Sequence, residues 1–478
     1  MTRNVLPCIF IVEVFIYNEQ STATSGKIPG KGKEDSADCK AVAGRGGSGK
    51  LYTVKVAIDG LRLGVIRLAL YSVPAFACAS ALHGDVLNRN FLPLGDRTAF
   101  MANTAVADGK SPMAVMFNPG ALGLIEKSKI ALGGNLYMNF TGEFAPFVRY
   151  GAESANISLS GFNSLPNSAV SIYKWGETSF ADSVIVPDFL EISSIQKITL
   201  TNYRATVIFN GREQDLWLGL SVARVWRQKF GVGISAFGTR YTRDTASTVA
   251  ATIGAPGSTV NIAALASTKG YAHGVQLIAG MYFKPYDWLG TGLKFSAPDI
   301  RVNGKGDYFE QAIVGAVVVT QDLPNRNFYY QRPADISLGS EVTIAEYLRW
   351  YFDASVQLPL SFEQMPGIPS PGRYDLQLTP RIATGFDFRF NRAWSTLCGF
   401  AWIPSAMPPL EPKYANITRS VNYLTSVGII YSDEHVRTGL GAFYLYADGS
   451  QLLDSTSGST STVRTTGFGA LLTSSYEF

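Results

Sequence analysis

The feature that most restricts the fold is a two-residue period held over unusually long stretches. In segment 334–344, Ala334, Ile336, Leu338, Ser340, Val342 and Ile344 fall on one face of an extended chain, against Asp335, Ser337, Gly339, Glu341 and Thr343. Segment 348–360 sets Leu348, Trp350, Phe352, Ala354, Val356, Leu358 and Leu360 against Arg349, Tyr351, Asp353, Ser355 and Gln357. Segment 376–390 sets Leu378, Ile382, Phe386, Phe388 and Phe390 against Gln377, Thr379, Arg381, Ala383, Gly385, Asp387 and Arg389. Successive side chains of a strand point to opposite faces, so each segment is a strand with one apolar and one polar side. Soluble strands average about 5–6 residues, whereas a tilted strand that crosses a bilayer needs about 9–11. In a transmembrane barrel the apolar face meets lipid and the polar face lines the lumen.

The connections fit that reading. Short turns are expected at 227–228, 285–287, 345–347, 391–393 and 432–435, and long polar loops at 244–270, 301–333, 361–375, 405–419 and 448–465. Short turns at one end and long loops at the other mark outer-membrane barrels. Counting back from the C-terminus gives about 14 strands, beginning 129–140, 180–192, 198–210 and 214–226 and ending at 466–478. An even number leaves both chain ends on the short-turn side. The last strand alternates through Phe468, Ala470, Leu472, Ser474 and Tyr476 to Phe478. Such an aromatic end resembles the signal read by the barrel assembly machinery, and Tyr476 and Phe478 are its expected residues. The fold class expected is therefore all-β, a transmembrane antiparallel barrel over 129–478.

Charge supports this and excludes other classes. Only 16% of residues are charged, where a soluble domain carries about 25%. Residues 1–81 hold 10 Lys and Arg against 6 Asp and Glu, and the remainder holds 31 of each, so the net +4 belongs to the leader. No basic face is left for nucleic acid. Cys8, Cys39 and Cys78 precede the expected mature chain, which keeps Cys398, so neither a disulfide scaffold nor a cysteine metal cluster is expected. No metal and no cofactor is expected.

Segment 62–81 reads as a secretory signal peptide. Arg62 and Arg67 form its basic region, an apolar run begins at Leu68, and Ala77, Ala79 and Ala81 offer A-x-A cleavage. Residues 1–61 are expected to be a non-native or extended leader, with initiation near Leu51 or Val54. The run GRGGSGK at 44–50 imitates a phosphate-binding loop. It is followed by Leu51 instead of Ser or Thr and lacks the strand and helix that the motif needs.

Segment 94–122, LGDRTAFMANTAVADGKSPMAVMFNPGAL, resembles the N-terminal hatch of the long-chain fatty-acid transporter family, which includes the toluene/xylene-type channels. Val106-Ala107-Asp108 and Asn118-Pro119 match, while Ala102-Asn103-Thr104 and Gly120-Ala121 depart from the family's Gly-Gly-Ala and Ala-Gly. Segments 274–307, 333–339 and 399–409 are similar to later family motifs, so the resemblance runs over nearly all of 90–478. It implies a 14-strand barrel with a hatch at 82–128 on the periplasmic side. It also implies passive movement of a fatty acid or aromatic hydrocarbon from a greasy loop groove, through the lumen, to a lateral opening. The partners expected are the outer-membrane bilayer of a Gram-negative-type bacterium, the assembly machinery and the hydrophobic solute, with the barrel a monomer.

Candidate site residues follow. Asn118, Pro119, Gly120, Val106 and Asp108 are the expected hatch and gate. Loop 301–333 is expected to capture substrate through Phe309, Ile313, Val317, Phe328 and Tyr329, or to pack them on the barrel rim. By phase Lys294, Arg349, Arg381 and Arg389 face the lumen, either to meet a substrate carboxylate or to join an ion network with Glu341, Asp353 and Asp387. No enzyme is expected, since a lipase-like pair would need a lumenal His and His435 falls at a turn. A structural or secretion-accessory barrel of the same family is the alternative function, and a hatch argues against an open porin.

Overall fold

In a computed structural model of the chain, the structure describes residues 92–368, 373–411, 418–452 and 460–478. The leader, the signal peptide, the GRGGSGK run, three of the cysteines, His83 and hatch residues 82–91 lie outside the described residues.

Fourteen strands close an antiparallel wall: β1 (Lys129–Tyr150), β2 (Glu153–Trp175), β3 (Thr178–Leu200), β4 (Tyr203–Trp226), β5 (Phe230–Ile253), β6 (Val260–Tyr286), β7 (Leu289–Ser296), β10 (Asp335–Ala345), β11 (Leu348–Gln357), β14 (Thr379–Arg389), β15 (Trp394–Ile403), β16 (Thr418–Ser432), β17 (Val436–Leu452) and β18 (Thr460–Glu477). Two hairpins are added to it. β8 (Ile300–Val314) and β9 (Val317–Asn327) extend the sheet from the far half of β6, and β12 (Leu360–Glu363) pairs β13 (Arg373–Leu376). Pairing of β18 with β1 closes the barrel. There Lys129 Nζ meets Glu477 Oε1 at 2.7 Å and the Phe478 N–H donates to the Ser128 carbonyl at 3.0 Å.

The phase agrees with the sequence. Leu338 is 59% exposed, Ile382 42% and Leu440 60%, all on the outward face. Exposed aliphatic rows of this length are costly in water and stable in lipid. Near the short turns aromatic pairs ring the wall, among them Trp226–Phe230, Tyr286–Trp288, Trp394–Tyr431 and Tyr476–Phe478. Such girdles mark a bilayer interface. The turn after β4 is tight because Arg227 and Gln228 both take positive φ, 52° and 54°, and the Lys229 N–H donates to the Trp226 carbonyl at 3.0 Å, so the chain reverses over the three residues between the paired Trp226 and Phe230.

Three expectations are corrected. The strands read at 198–210 and 214–226 are one strand, β4, with the end of β3 before it. Strand β2 replaces the missing member, in a Ser- and Asn-rich stretch read as connection. The segment 301–333 is chiefly the β8–β9 hairpin, turning at Gly315 with φ 58°, and residues 244–253 and 260–270 are wall strand as well. All share one cause. β1 to β6 run for 22 to 27 residues, about twice what a bilayer needs. The half beyond the lipid has water on its outward face, so apolar alternation is not required of it.

Candidate functional site

The lumen is built in layers, beginning at the short-turn end with segment 92–125. This segment holds three single-turn helices, α1 (Arg97–Phe100), α2 (Ala114–Phe117) and α3 (Pro119–Leu122), and almost every residue in it is buried. It fits because inward-facing wall positions are glycine where its backbone touches. A Cβ at Gly233 would overlap the Pro119 carbonyl, one at Gly292 the Val106 carbonyl, and one at Gly399 the Met101 backbone. Asn118 is the central tie. Its amide donates to the Val106 carbonyl at 2.6 Å and to the Met281 carbonyl of β6 at 2.9 Å, and accepts from the Gly120 N–H at 3.0 Å, capping α3 ahead of Pro119. Gly120 has no room for a side chain, because Gly280 and Met281 of the wall lie 2.7 Å from where a Cβ would stand.

Wall carboxylates hold the other side. Asp353 accepts the N–H groups of Ala105 and Val106 at 2.7 and 3.1 Å. Asp387 meets Arg97, which also pairs Asp108 at 2.8 Å. Burial raises the Asp108 carboxyl above its ordinary value, against the pull of the Arg97 guanidinium. Ala102 and Asn103 take φ of 51° and 61°, a region that a glycine enters without steric cost. Asn103 is tied by its amide to the Leu94 N–H and the Leu92 carbonyl. Ala102 has no such tie from its side chain.

The structure places the lumenal cations as follows. Lys294 pairs Asp335 at 2.9 Å, Arg349 pairs Glu341 at 3.2 Å, and Arg381 donates to the Ala102 carbonyl at 3.3 Å. Arg389 is exposed beside the short turn at 390–393.

Above this floor stands a layer that sequence reading missed. The stretch after β9 drops into the lumen, and Arg332 is 2% exposed between Asp188 of β3 and Asp215 of β4. Its guanidinium lies 4.7 Å from the centroid of Trp217. Burial opposes its charge, and Asp215, Tyr330 and Asp188 more than offset that opposition. The signal available in the sequence was a pair of aspartates in lumenal phase on adjacent strands.

Next comes an aromatic and methionine layer. Tyr241 stacks on Tyr330 at 3.8 Å and on Phe328 at 6.2 Å, within a buried cluster that also takes Tyr308, Phe362, Met365 and Met407. Of the expected capture residues, Phe328 is at the centre of this layer. Phe309 and Ile313 lie half-buried on β8, Val317 half-buried at the start of β9, and Tyr329 beneath the Arg301 guanidinium at 4.7 Å.

The wall beside these layers has a seam. β2 and β3 pair only from Ser168↔Ile185 to Trp175↔Thr178. Beyond that point no ladder joins 153–167 to 186–200, and the crossings described there are side-chain contacts, such as Asn163 to the Glu191 carbonyl and Ser194 to the Ser158 carbonyl, both 3.4 Å. Pro166 and Pro187 stand at the branch. Proline has no N–H to give a ladder. Residues 185–190 are all buried, so strand alternation stops there.

The fold and lumen define a transmembrane β-barrel occupied from its short-turn end. No protein-family model and no curated protein matches the sequence. Solved structures do match. A Pseudomonas aeruginosa FadL homologue is 14% identical, with a TM-score of 0.59 over 81% of this chain and 99% of that one. The Pseudomonas putida toluene transporter TodX is 13% identical, with a TM-score of 0.60 over the same shares. The Ralstonia pickettii toluene transporter TbuX is 16% identical, with a TM-score of 0.54 over 81% and 99%. The chain therefore shares the fold of these channels.

Proposed function

We propose that this chain is an outer-membrane passive channel for hydrophobic compounds, of the fatty-acid and aromatic-hydrocarbon transporter kind. The observation that carries the reading is a buried aromatic layer lying directly over Arg332 and beside a wall seam without a ladder. A general porin keeps a water-filled lumen, which has nothing to offer an apolar solute. Such a solute gains by leaving water for an apolar surface and then for lipid. Its path would start at the β8–β9 hairpin, where Val318 and Val319 are 53% and 55% exposed. It would continue among Phe328, Tyr330 and Tyr241 and leave between β2 and β3.

In this reading segment 92–128 is the hatch, Asn118, Pro119 and Gly120 hold it closed, and Asp108 and the Val106 backbone anchor it. Lys294, Arg349 and Arg381 brace wall and hatch and do not meet substrate. Tyr476 and Phe478 direct insertion by the assembly machinery, and residues 62–81 direct export. The test is mass spectrometry of apolar molecules retained by the purified barrel. They should be present in the native chain and lost from the Phe328→Ser, Tyr330→Ser double variant. Equal retention in both, or none in either, refutes the reading.

A further inference from the structure

The outer face of the wall carries a charged cleft that transport through the lumen does not use. Strand register sets Arg212, Asp244, Lys269 and Asp307 in one outward row across β4, β5, β6 and β8, with Lys305 in the row beneath and Arg240 in the row below that. They line a cleft of about 450 Å³.

Its height is informative. Phe230 stands in the aromatic girdle at the short-turn end, and Arg240 follows ten residues later on the same strand. At about 3.3 Å per residue and a tilt of about 45°, that rise is about 23 Å. A barrel's apolar band is about 25 Å tall. Between the two levels the outward residues are lipid-type, with Leu218, Leu220 and Ile234 at 57%, 70% and 49% exposure. The cleft therefore opens where the headgroups of the far leaflet lie.

Its charge is cationic and loosely held. Five Lys and Arg and two aspartates line the cleft; Arg243 is buried against Glu213, so four cations face the two aspartates on the outside. Lys269 is 3.7 Å from Asp244, and Arg212 is 4.0 Å from Glu191 at the edge, with all four side chains more than half exposed. Asp307 is taken up by the Asn325 N–H at 2.7 Å, and Lys305 by the Asn327 amide oxygen at 3.1 Å. Exposed pairs of this kind contribute little. A phosphate, with more charge and three acceptor oxygens, can take these donors from their carboxylates, and a guanidinium offers it a two-pronged contact.

We propose that this cleft binds the phosphorylated headgroup of a lipid in the outward leaflet, whose acyl chains lie along the Leu218–Leu220 side of β4. The proposal rests on the barrel's spanning a membrane, and not on transport. The test uses the full mature barrel in uncharged detergent, titrated with a phosphorylated glycolipid and read by native mass spectrometry. Parallel arms use the same lipid without phosphate, inorganic phosphate alone, and an Arg240→Gln, Lys305→Gln variant checked for heat-modifiable mobility. Each surface cation contributes about fivefold toward an anionic lipid, so the double variant should bind about thirtyfold more weakly. The dephosphorylated lipid should bind the native barrel as weakly as the variant binds the phosphorylated one. Equal binding of the two lipids by the native protein overturns the proposal even if the variant fails to fold. Inorganic phosphate binding as tightly as the lipid overturns it as well. Loss of lipid binding would leave the transport reading standing, since that is read from the lumen.

Discussion

Removing the Arg332 guanidinium should release the segment that it pins inside the barrel. Asp215 is 2% exposed and Asp188 7%, and Arg332, from the seven-residue stretch 328–334, pairs with both. Arg332→Met keeps most of the volume against Trp217 but removes the cation that faces two buried carboxylates. Breaking a buried pair by removing one partner costs about 3–5 kcal/mol, which raises the open population between about a hundredfold and about four-thousandfold. The wall ladders do not involve Arg332, so the barrel itself should keep its heat-resistant fold. Amide hydrogen exchange reads the effect locally. The Tyr329 N–H, held by the Gln364 carbonyl at 2.7 Å, and the Phe328 N–H, held by the Gly304 carbonyl at 3.2 Å, should exchange faster by that factor. Adding Asp188→Asn and Asp215→Asn to the variant removes the stranded charge and should recover most of the protection. Unchanged exchange in Arg332→Met, or no recovery in the triple variant, would refute the pinning role.

Three further outcomes follow from the same geometry. Ile382→Arg places a charge on the lipid face at a cost of about 2–4 kcal/mol and should impair heat-resistant folding, while Thr379→Arg, in the lumenal row, should be tolerated; the reverse result means a register wrong by one residue. Ala102→Gly should stabilise the barrel by about 0.5–1 kcal/mol in denaturant titration, the relief of strain at φ 51° less the entropy that glycine adds to the unfolded chain, and a destabilised variant would count against strain there. Asn118→Ala removes the amide that ties segment 92–125 to β6 and Asn118 to Val106, and should raise ion conductance in planar bilayers; conductance equal to that of the native barrel would deny Asn118 a closing role.

The barrel was legible wherever the outward face meets lipid. In β10, β11 and β14 the alternation of Ile336 with Ser337, or of Phe386 with Asp387, follows from the bilayer alone, and bounds and phase come out within a few residues. It failed in β2, where Asn156, Ser158 and Ser160 face outward above the lipid, so no apolar row marks the strand. It failed again at the β8–β9 hairpin, whose apolar residues look like loop grease but pair with the tall half of β6. Segment 94–122 was visible as a motif, because Asn118-Pro119 is a local turn signal. Its fit inside the wall was not, because Gly233, Gly292 and Gly399 matter through contacts far away in sequence. The same holds for Arg332, whose partners lie 144 and 117 residues before it. The seam left one local trace, a proline in each of two neighbouring strands, and it could be read only once β2 was recognised as a strand.

The most direct test of the account is to lock that seam and follow an apolar solute. Ser158→Cys and Ser193→Cys, in a Cys398→Ser background, place thiols on the outward face on either side of the seam, at the level where the Ser194 hydroxyl now donates to the Ser158 carbonyl at 3.4 Å. With the pair closed by a short thiol-reactive cross-linker with a reducible bond, uptake of a labelled long-chain fatty acid or aromatic hydrocarbon into cells expressing the barrel should fall to the level of cells without it. Reduction of the linker should restore uptake. Uptake unchanged by the closed linker would contradict release through the wall, and with it the central claim.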